Sequence, residues 1–269
     1  MSLTLVPTPI GNLEDITLRA LRVLREADVI ACEDTRTSGI LLRHYGITDK
    51  KLISFHVHNE NDKLESLLER LRNGENIAVV SDAGTPGISD PGWILLKHAL
   101  DEGLDADVLP GPSAVIPAVL LSGLTPQPFM FIGFPPEKHN ERINMLNSLK
   151  DLKCTLCFYV SPHKADKHIA DMIDVFGNRK AALIREISKI FQESIRDSLS
   201  GILSRFAEGV KGELVLAVEG CTEETHNDSW KSEVNRMKEE GLSVKDIVNM
   251  IEERYEVSRN EIKRYILSV

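Results

Sequence analysis

The sequence has few cysteines and no long apolar segment. Its 269 residues include four cysteines, at positions 32, 154, 157 and 221, which are too few to build a disulfide scaffold of this length. No apolar run approaches the roughly 18 residues that span a bilayer. The N-terminus also lacks a basic segment followed by a long apolar one. These absences argue against a membrane protein, and we expect a protein of the reducing cytoplasm.

An excess of basic residues is lacking as well. The chain has 32 Lys and Arg against 41 Asp and Glu, which gives a formal net charge of −9 at pH 7. A net field of that sign repels polyanions, so a nucleic-acid partner would need a local basic patch. The candidate basic residues are Arg179, Lys180, Arg185, Lys189 and Arg196, and, near the C-terminus, Arg259, Lys263 and Arg264.

Short apolar runs rich in β-branched residues alternate with segments of helical period along most of the chain. From Leu3 to about Gly123 this alternation is typical of an α/β domain with a mostly parallel sheet, and the similar alternation that follows predicts a second α/β domain. The alternation predicts strands at 3–6, 29–31, 52–55, 77–80, 107–109, 129–132, 155–160, 181–184, 191–195 and 214–218. Helices are predicted around 18–24, 64–71, 94–99, 140–150, 164–175 and 199–208. The prolines of Leu124–Pro128 predict a linker between two α/β domains, at 1–123 and 124–220.

The composition becomes polar and charged after Glu219. We expect a polar linker from 221 to about 241 and then a pair of short helices, the whole forming a separate element at 221–269. Ser243 and Ser258 each precede an acidic residue by three positions, which is the spacing of a capping box. Such a helix-turn-helix-like pair could dock RNA or support a dimer equally well.

Glycine and proline concentrate in three loops that follow the first, fourth and fifth predicted strands. The loops read VPTPIGNL at 6–13, SDAGTPGISDPG at 81–92 and LPGPSA at 109–114. Parallel sheets bind ligands at the carboxyl ends of their strands, and rigid loops with glycines let a ligand approach the backbone. None of the loops has the G-x-G-x-x-G or Walker pattern that cradles phosphates. Any one of these loops could be a simple turn, but three at one edge favour a ligand site.

These loops belong to a longer series of motifs. The others are CEDTRTS at 32–38, SFHVHNE at 54–60, FIGFPP at 131–136, FYVSPHK at 158–164, REISK at 185–189 and KGELVL at 211–216. In this order they resemble the tetrapyrrole methylase superfamily of S-adenosylmethionine-dependent methyltransferases, and within it the branch that methylates a ribose of 16S ribosomal RNA. The resemblance implies two α/β domains with S-adenosylmethionine between them and a homodimer. It also implies 2′-O-methylation of a cytidine in the small ribosomal subunit.

The resemblance also implies the cofactor contacts. They fall on Pro9, Ile10, Gly84, Thr85, Pro86, Ile88, Ser113, Ala114, Val160, Gly212 and Glu213. Exposed backbone groups beside apolar walls suit the adenine, the ribose and the amino-acid end of this cofactor. Many members of the superfamily have Gly-Asp-Pro where this chain has Gly84-Thr85-Pro86, so an acidic contact there is not carried over.

Methyl transfer to a weakly nucleophilic ribose hydroxyl needs positioning, and it is helped by a base or a nearby cation. Candidate groups in CEDTRTS and REISK are Glu33, Asp34, Arg36, Arg185, Glu186 and Lys189. We favour Asp34 and Lys189 as catalytic and expect the other four to contact substrate. For each residue, the competing interpretation is a solvated or ion-paired surface charge.

Two histidines and a cysteine pair need an explanation of their own. His56 and His58, two residues apart, would share one strand face and are interpreted as substrate-groove or plain structural residues. His58 and Glu60 match the H-x-E of zinc deaminases, and Cys154 and Cys157 offer a C-x-x-C. Lys153 replaces the proline of that signature, and residues three apart on a strand face opposite ways, so we expect no metal.

Two other functions remain open at this point. A protein of the same fold could methylate a carbon of a porphyrin precursor. A protein of a different class could bind RNA through its terminal helices without catalysis, and its binding would not depend on the three glycine-rich loops.

Overall fold

The computed structural model describes residues 2–206, 210–222, 229–255 and 259–268. A first sheet contains five strands whose neighbours all run parallel, in the order β3-β2-β4-β1-β5. The strands are β1 (Leu3–Leu5), β2 (Val29–Cys32), β3 (Lys51–Ser54), β4 (Ile77–Val80) and β5 (Ala106–Val108). The prediction of an α/β fold with a parallel sheet is confirmed.

Helices cover both faces of this sheet. They are α1 (Leu18–Glu26), α2 (Thr35–His44), α3 (Glu60–Arg72) and α4 (Trp93–Asp101), with a short 3-10 turn at Leu13–Asp15. Successive strand residues point to opposite faces, so Val29 and Ala31 pack in the core beside α3 and α4, whereas Ile30 packs beside α1 and α2. The three central strands are therefore buried along their whole length, and the edge strands β3 and β5 are not.

A second sheet has the order β6-β7-β10-β8-β9. Its strands are β6 (Phe129–Gly133), β7 (Thr155–Val160), β8 (Lys180–Arg185), β9 (Glu193–Ser198) and β10 (Leu214–Val218). Only β6 and β7 pair in parallel, and the other neighbours are antiparallel. Residues 124–128, where the sequence indicates a linker, contain no helix or strand.

Four helices pack on the second sheet. One face is covered by α6 (His139–Leu149), α7 (Ala165–Phe176) and α8 (Leu199–Phe206), whose apolar residues form the largest core cluster. The other face is covered by α5 (Val115–Ser122), which the sequence analysis did not predict. Helix α5 follows β5 along the chain, and its Ala118 packs against Ala182 and Ile184 of the second sheet. Both sheets lie in one compact unit that ends at Gly220.

Residues 221–269 form a second compact unit with its own core. Its described helices are α9 (Ser229–Glu239), α10 (Val244–Arg254) and α11 (Arg259–Ser268). The expectation of a polar linker up to about residue 241 is wrong, because α9 occupies much of that segment. Helix α9 buries Trp230, Val234 and Met237 along one face while its other positions are polar, so a sparse apolar stripe defines the helix.

The start of α10 follows the predicted capping pattern. The Ser243 side chain accepts a hydrogen bond of 3.2 Å from the Asp246 backbone amide, and Leu242 packs in the same core as Ile247. The second predicted cap, Ser258, lies outside the described residues. Among the described residues, no helix combines the length and apolar character needed to cross a bilayer.

Candidate active site

The three glycine- and proline-rich loops emerge from β1, β4 and β5, which are neighbours in the sheet. Their carboxyl ends therefore lie side by side, and hydrogen bonds join the loops to one another. Thr8 and Gly84 exchange two backbone hydrogen bonds of 2.9 Å, and the buried Thr8 hydroxyl donates to the Ser81 carbonyl. The Thr85 hydroxyl donates to the carbonyl of Pro112 at 2.9 Å, which ties the second loop to the third.

Gly84 has a conformation that this arrangement requires. Its φ of 85° lies in the left-handed region that residues with a Cβ rarely adopt. A Cβ at this position would also lie 3.4 Å from Cγ2 of Ile10. The glycine therefore keeps the backbone of the second loop open toward the first loop.

A cavity of about 660 Å³ lies between these loops and the second sheet. Most of the predicted cofactor contacts line it: Ile10, Gly84, Thr85, Ile88, Ser113, Ala114, Val160, Gly212 and Glu213. Pro9 and Pro86 do not line it, although they belong to the same loops. The structure thus brings together residues as distant in the sequence as Ile10 and Glu213.

Sequence reasoning missed the aromatic wall of the cavity. Phe131 and Tyr159, on neighbouring strands of the second sheet, meet edge to face with ring centroids 4.8 Å apart, and Phe134 lies 5.3 Å from Tyr159. Phe134 is 61% exposed although it lines the cavity. Aromatic residues make up only 5% of the chain, so their concentration in FIGFPP and FYVSPHK was an available signal.

The cavity also contains Asp90, which the sequence analysis did not select. Burial, followed by the negative charge of Glu33, raises the pKa of Asp90 to about 6. Asp82 adds a smaller contribution in the same direction, and the Ser81 hydroxyl opposes it. Burial also raises the pKa of Tyr159, and Asp90 is the first charged group that adds to this shift.

Asp34, one of the two favoured catalytic residues, lies beside the cavity and not in its lining. It caps α2, and its Oδ1 accepts a hydrogen bond of 2.7 Å from the Arg36 backbone amide. The Arg36 guanidinium also contacts both carboxylate oxygens, and these hydrogen bonds lower the pKa of Asp34 to about 2. The Arg36 side chain itself is 88% exposed. The Glu33 carboxylate accepts a long hydrogen bond of 3.5 Å from the Asp82 backbone amide.

Lys189, the other favoured residue, belongs to an ion-pair cluster at the rim. Its Nζ lies 2.9 Å from Glu186 and 3.4 Å from Glu213. Partial burial disfavours the ammonium, but the two carboxylates outweigh this and raise the pKa of Lys189. Glu186 also accepts a hydrogen bond of 2.8 Å from the Glu213 amide, so the cluster fixes the backbone next to Gly212.

The first loop contacts the segment that contains Lys189. A Cβ on Gly11 would lie 2.4 Å from Cγ of Lys189 and 2.9 Å from the Ile187 carbonyl oxygen, so only glycine fits there. Nearby, the Ser188 hydroxyl donates a hydrogen bond to Asp15. One side of the cavity is therefore closed by direct contact between its two halves.

The prediction that His56 and His58 share a strand face is wrong. Strand β3 ends at Ser54, and residues 57–59 form a turn, so His56 and His58 do not share a strand face. Their rings lie 6.0 Å apart, and the backbone amide of His56 donates to the Asn59 side chain. The strand ends early because this turn leads directly into α3.

All three arginines in the predicted basic patch at 179–196 have partners within the protein. Arg179 donates to the carbonyl of Phe176 and stacks on its ring, and the Arg196 side chain donates to the Leu121 carbonyl. Arg185 pairs with Glu193 at 3.1 Å. The Glu193 carboxylate offsets the charge of Arg185, and the carbonyl oxygens occupy donors of Arg179 and Arg196, so fewer of these donors can contact phosphates than the sequence indicates. Near the C-terminus, Arg259 pairs with Glu252, while Lys263 and Arg264 are exposed.

The cysteine pair is explained by packing. Cys157 is completely buried in β7, and burial raises the pKa of its thiol to about 12. Within the described ranges, no group of three or more metal-ligating side chains comes together.

The chemistry of the cavity fits S-adenosylmethionine. Apolar and aromatic walls suit the adenine, the hydroxyls of Thr85 and Ser113 can bond its polar atoms, and the carboxylate of Glu213 can face a hydroxyl or a cation. The open backbone at Gly84 allows close approach. When bound, this cofactor would supply an electrophilic methyl group.

Fold and cavity together define a two-sheet α/β protein with a cavity of small-molecule size at the carboxyl edge of its parallel sheet. Residues 2–203 match the family described as Tetrapyrrole (Corrin/Porphyrin) Methylases, and the chain belongs to this family of methyltransferases.

Curated relatives share most of the chain. A protein of Streptococcus pyogenes serotype M3, named "Ribosomal RNA small subunit methyltransferase I", is 41% identical over 97% of this chain and 93% of its own length. Proteins of the same name are 38% identical in Bacillus subtilis, over 98% of this chain and 92% of theirs, and 43% identical in Halalkalibacterium halodurans, over 86% and 81%.

Two solved structures are similar in fold. One is described as diphthine synthase, with a TM-score of 0.64 at 16% identity, and covers 82% of this chain and 90% of its own. The other is uroporphyrin-III-C-methyltransferase from Thermus thermophilus, with a TM-score of 0.59 at 19% identity over 81% and 94%. They establish a tetrapyrrole-methylase-like fold, as the motifs indicated.

Proposed function

We propose that this protein transfers a methyl group from S-adenosylmethionine to the ribose 2′-hydroxyl of a cytidine in 16S ribosomal RNA of the small subunit. The observation that carries the proposal is the cavity at the joined loops, in a chain that is 41% identical over 97% of its length to a protein named as a ribosomal RNA small subunit methyltransferase.

The cavity supports the choice of cofactor. Its volume lies within the range of about 300–1,000 Å³ that is common for small-molecule sites. Its lining offers hydroxyl groups and loop backbone on one side and aromatic rings on the other. Phosphate-binding glycine patterns are missing from its loops. A methyl donor with an adenine, a ribose and a charged amino-acid end suits these features.

The rim supports an RNA nucleotide as methyl acceptor. Phe134 lines the cavity and is largely exposed, and a nucleobase turned out of an RNA strand can stack on such a ring. Stacking of a base on a ring does not depend on the protein's net charge. It can therefore supply affinity for RNA that a protein of net charge −9 does not obtain from long-range electrostatic attraction. The acceptor that we propose is a nucleotide presented by the assembled small subunit.

We also propose that the protein is a homodimer. Helix α5 leaves Ile116 and Leu120, one turn apart, 52% and 67% exposed, and a second copy would cover such apolar residues. Light scattering coupled to size-exclusion chromatography tests this. A mass of 30.0 kDa instead of twice that value would refute it.

The function is tested by incubating the full-length protein with methyl-labelled S-adenosylmethionine and small ribosomal subunits that lack their native modifications. The label is then mapped to a nucleotide and to base or ribose. Label on a single cytidine ribose is expected, and fully modified subunits, the matched control, should take up none.

Two outcomes would overturn the proposal. Methylation of a porphyrin precursor with no transfer to RNA would assign the tetrapyrrole reaction. Subunit binding that survives disruption of the three loops, without any methyl transfer, would assign a noncatalytic RNA-binding protein.

A further inference from the structure

Asp90 lies at the end of the second loop, on a segment that is held firmly at both ends. Gly84 is bonded to Thr8 of the first loop, and the Gly92 amide donates a hydrogen bond of 2.9 Å to the buried carboxylate of Glu60. Between these anchors the chain places Asp90 in the cavity wall, together with Gly84, Thr85 and Ser113. Asp90 is therefore part of the wall of the cavity that we propose as the cofactor site.

The groups around Asp90 come from three parts of the fold. Glu33 follows β2, Asp82 follows β4, and Tyr159 belongs to β7 of the second sheet. Burial makes the largest contribution to the raised pKa of Asp90, and the negative charges of Glu33 and Asp82 add to it, while a hydrogen bond with the Ser81 hydroxyl opposes them. This differs from Asp34, whose two carboxylate oxygens are held by the Arg36 guanidinium.

We propose that Asp90 is the general base of the reaction and accepts the proton of the attacking ribose hydroxyl. This inference rests on the proposed function. The ribose oxygen forms a bond to the methyl carbon as the bond between that carbon and sulfur breaks. The electron pair of the broken bond stays on sulfur, and S-adenosylhomocysteine is the leaving group. The hydroxyl proton passes to the Asp90 carboxylate and then to solvent, so one proton is released for each methyl transferred.

The geometry favours Asp90 over the two residues chosen from the sequence. A base must reach the reacting hydroxyl, and of the three only Asp90 lines the cavity. Asp34 is committed to capping α2 and to Arg36, and Lys189 is held as an ammonium by Glu186 and Glu213. An ion-paired ammonium cannot accept a proton, so Lys189 is left with positioning the rim.

The first test compares Asp90→Asn with Asp82→Asn, the same substitution in the same loop at an exposed residue outside the lining. Single-turnover transfer to unmodified subunits should slow at least about 100-fold in D90N, the lower range for a general base, and less than about fivefold in D82N. Calorimetry with S-adenosylmethionine alone should give similar affinities for both variants and the wild type. Asp90→Glu, which keeps a carboxylate, should recover part of the rate.

The second test does not depend on activity. Carbon-13 NMR of the aspartate carboxyl groups in the protein without cofactor should show one resonance, missing in D90N, that titrates near pH 6. D82N should move that midpoint to lower pH because a negative neighbour is lost. The wild-type single-turnover rate should rise with pH through the same midpoint.

The outcomes separate the two proposals. If the wild type binds S-adenosylmethionine but labels no RNA, the proposed function fails and the role of Asp90 falls with it. If the wild type labels the cytidine ribose and D90N does so at a similar rate with an unchanged pH profile, only the assignment of Asp90 is overturned. Should D90N fail to fold, Asp90→Glu identifies the resonance instead, and the absence of an aspartate that titrates near pH 6 in the wild type would overturn the assignment.

Discussion

The backbone amide of Gly92 donates a hydrogen bond of 2.9 Å to Oε1 of Glu60. Glu60 opens α3 and is 7% exposed, and Gly92 is the residue from which α4 begins. A carboxylate at a helix N-terminus is favoured by the helix dipole as well as by the hydrogen bond. The contact joins the turn after β3 to the loop that carries Asp90.

Removal of this carboxylate should destabilise the unit that contains both sheets. Glu60→Ala leaves the buried Gly92 amide without its acceptor, and we expect a loss of about 1–3 kcal/mol in the free energy of unfolding. Glu60→Gln keeps an acceptor oxygen and should lose less. Urea unfolding followed by Trp93 fluorescence in a Trp230→Phe background measures this unit. Equal losses in the two variants would show that the hydrogen bond is not what Glu60 contributes.

The parallel sheet was predictable because its buried strands are short apolar runs. The pattern of apolar and polar residues did not predict two of the helices. Val115–Ser122 is almost entirely apolar, so it has no polar face from which a helical period can be detected, yet it forms α5. Helix α9 is the opposite case. It has three buried apolar residues in a segment that is otherwise mostly charged and polar, too few to indicate a helix from composition. Both helices are defined by the surfaces on which they pack.

The contact at Gly11 should be needed for cofactor binding. Gly11→Ala would place a Cβ 2.4 Å from Lys189 Cγ and 2.9 Å from a backbone oxygen, so the first loop must move away from the second half of the cavity. We expect at least about tenfold weaker binding of S-adenosylmethionine, since a tenfold change needs only about 1.4 kcal/mol. Isothermal titration calorimetry measures it.

Gly39→Ala is the matched control for that experiment. It lies in α2, and its Cβ would meet only Leu52 Cδ1 at 4.0 Å, an ordinary contact. Alanine is the better helix former, so this variant should bind the cofactor normally and be slightly more stable. Normal binding by Gly11→Ala would mean that the loops separate without cost to the site.

The site was predictable as a location more than as chemistry. Loop composition identified the edge, and the resemblance supplied residues such as Ser113 and Gly212 that the cavity brings together. The choice between Asp34 and Asp90 was beyond the sequence, because both stand in acidic motifs. What distinguishes them is the Arg36 fork on one and partial burial on the other, and both arise only on folding.

Glu233 should stabilise the helical unit more than a surface carboxylate that forms a single ion pair. This side chain, on α9, accepts hydrogen bonds from Arg254 at 2.6 Å and Tyr255 at 2.7 Å, both at the end of α10. Glu233→Ala should lower the urea midpoint of the unit, followed by Trp230 fluorescence in a Trp93→Phe background. Glu240→Ala, which removes only a 3.7 Å pair with Arg236, is the control and should change the midpoint little. Equal midpoints for the two variants would contradict the prediction.

Asp90 should cost the folded protein stability at neutral pH. Its pKa is raised from 3.8 to about 6 on folding, so between these values the folded state holds more protons than the unfolded state, and stability falls as pH rises. Asp90→Asn lacks this titration. Its thermal midpoint relative to wild type should therefore increase from pH 4 to pH 7 and change little above that.

Asp34 should show the opposite pH dependence. Its pKa is lowered to about 2, so its contribution to stability is present above pH 4 and lost as pH falls toward 2. Asp34→Asn should therefore be less stable than wild type at pH 7 and approach it in acid. Parallel pH dependence in the two variants would show that the folded protein does not treat these two carboxyl groups differently.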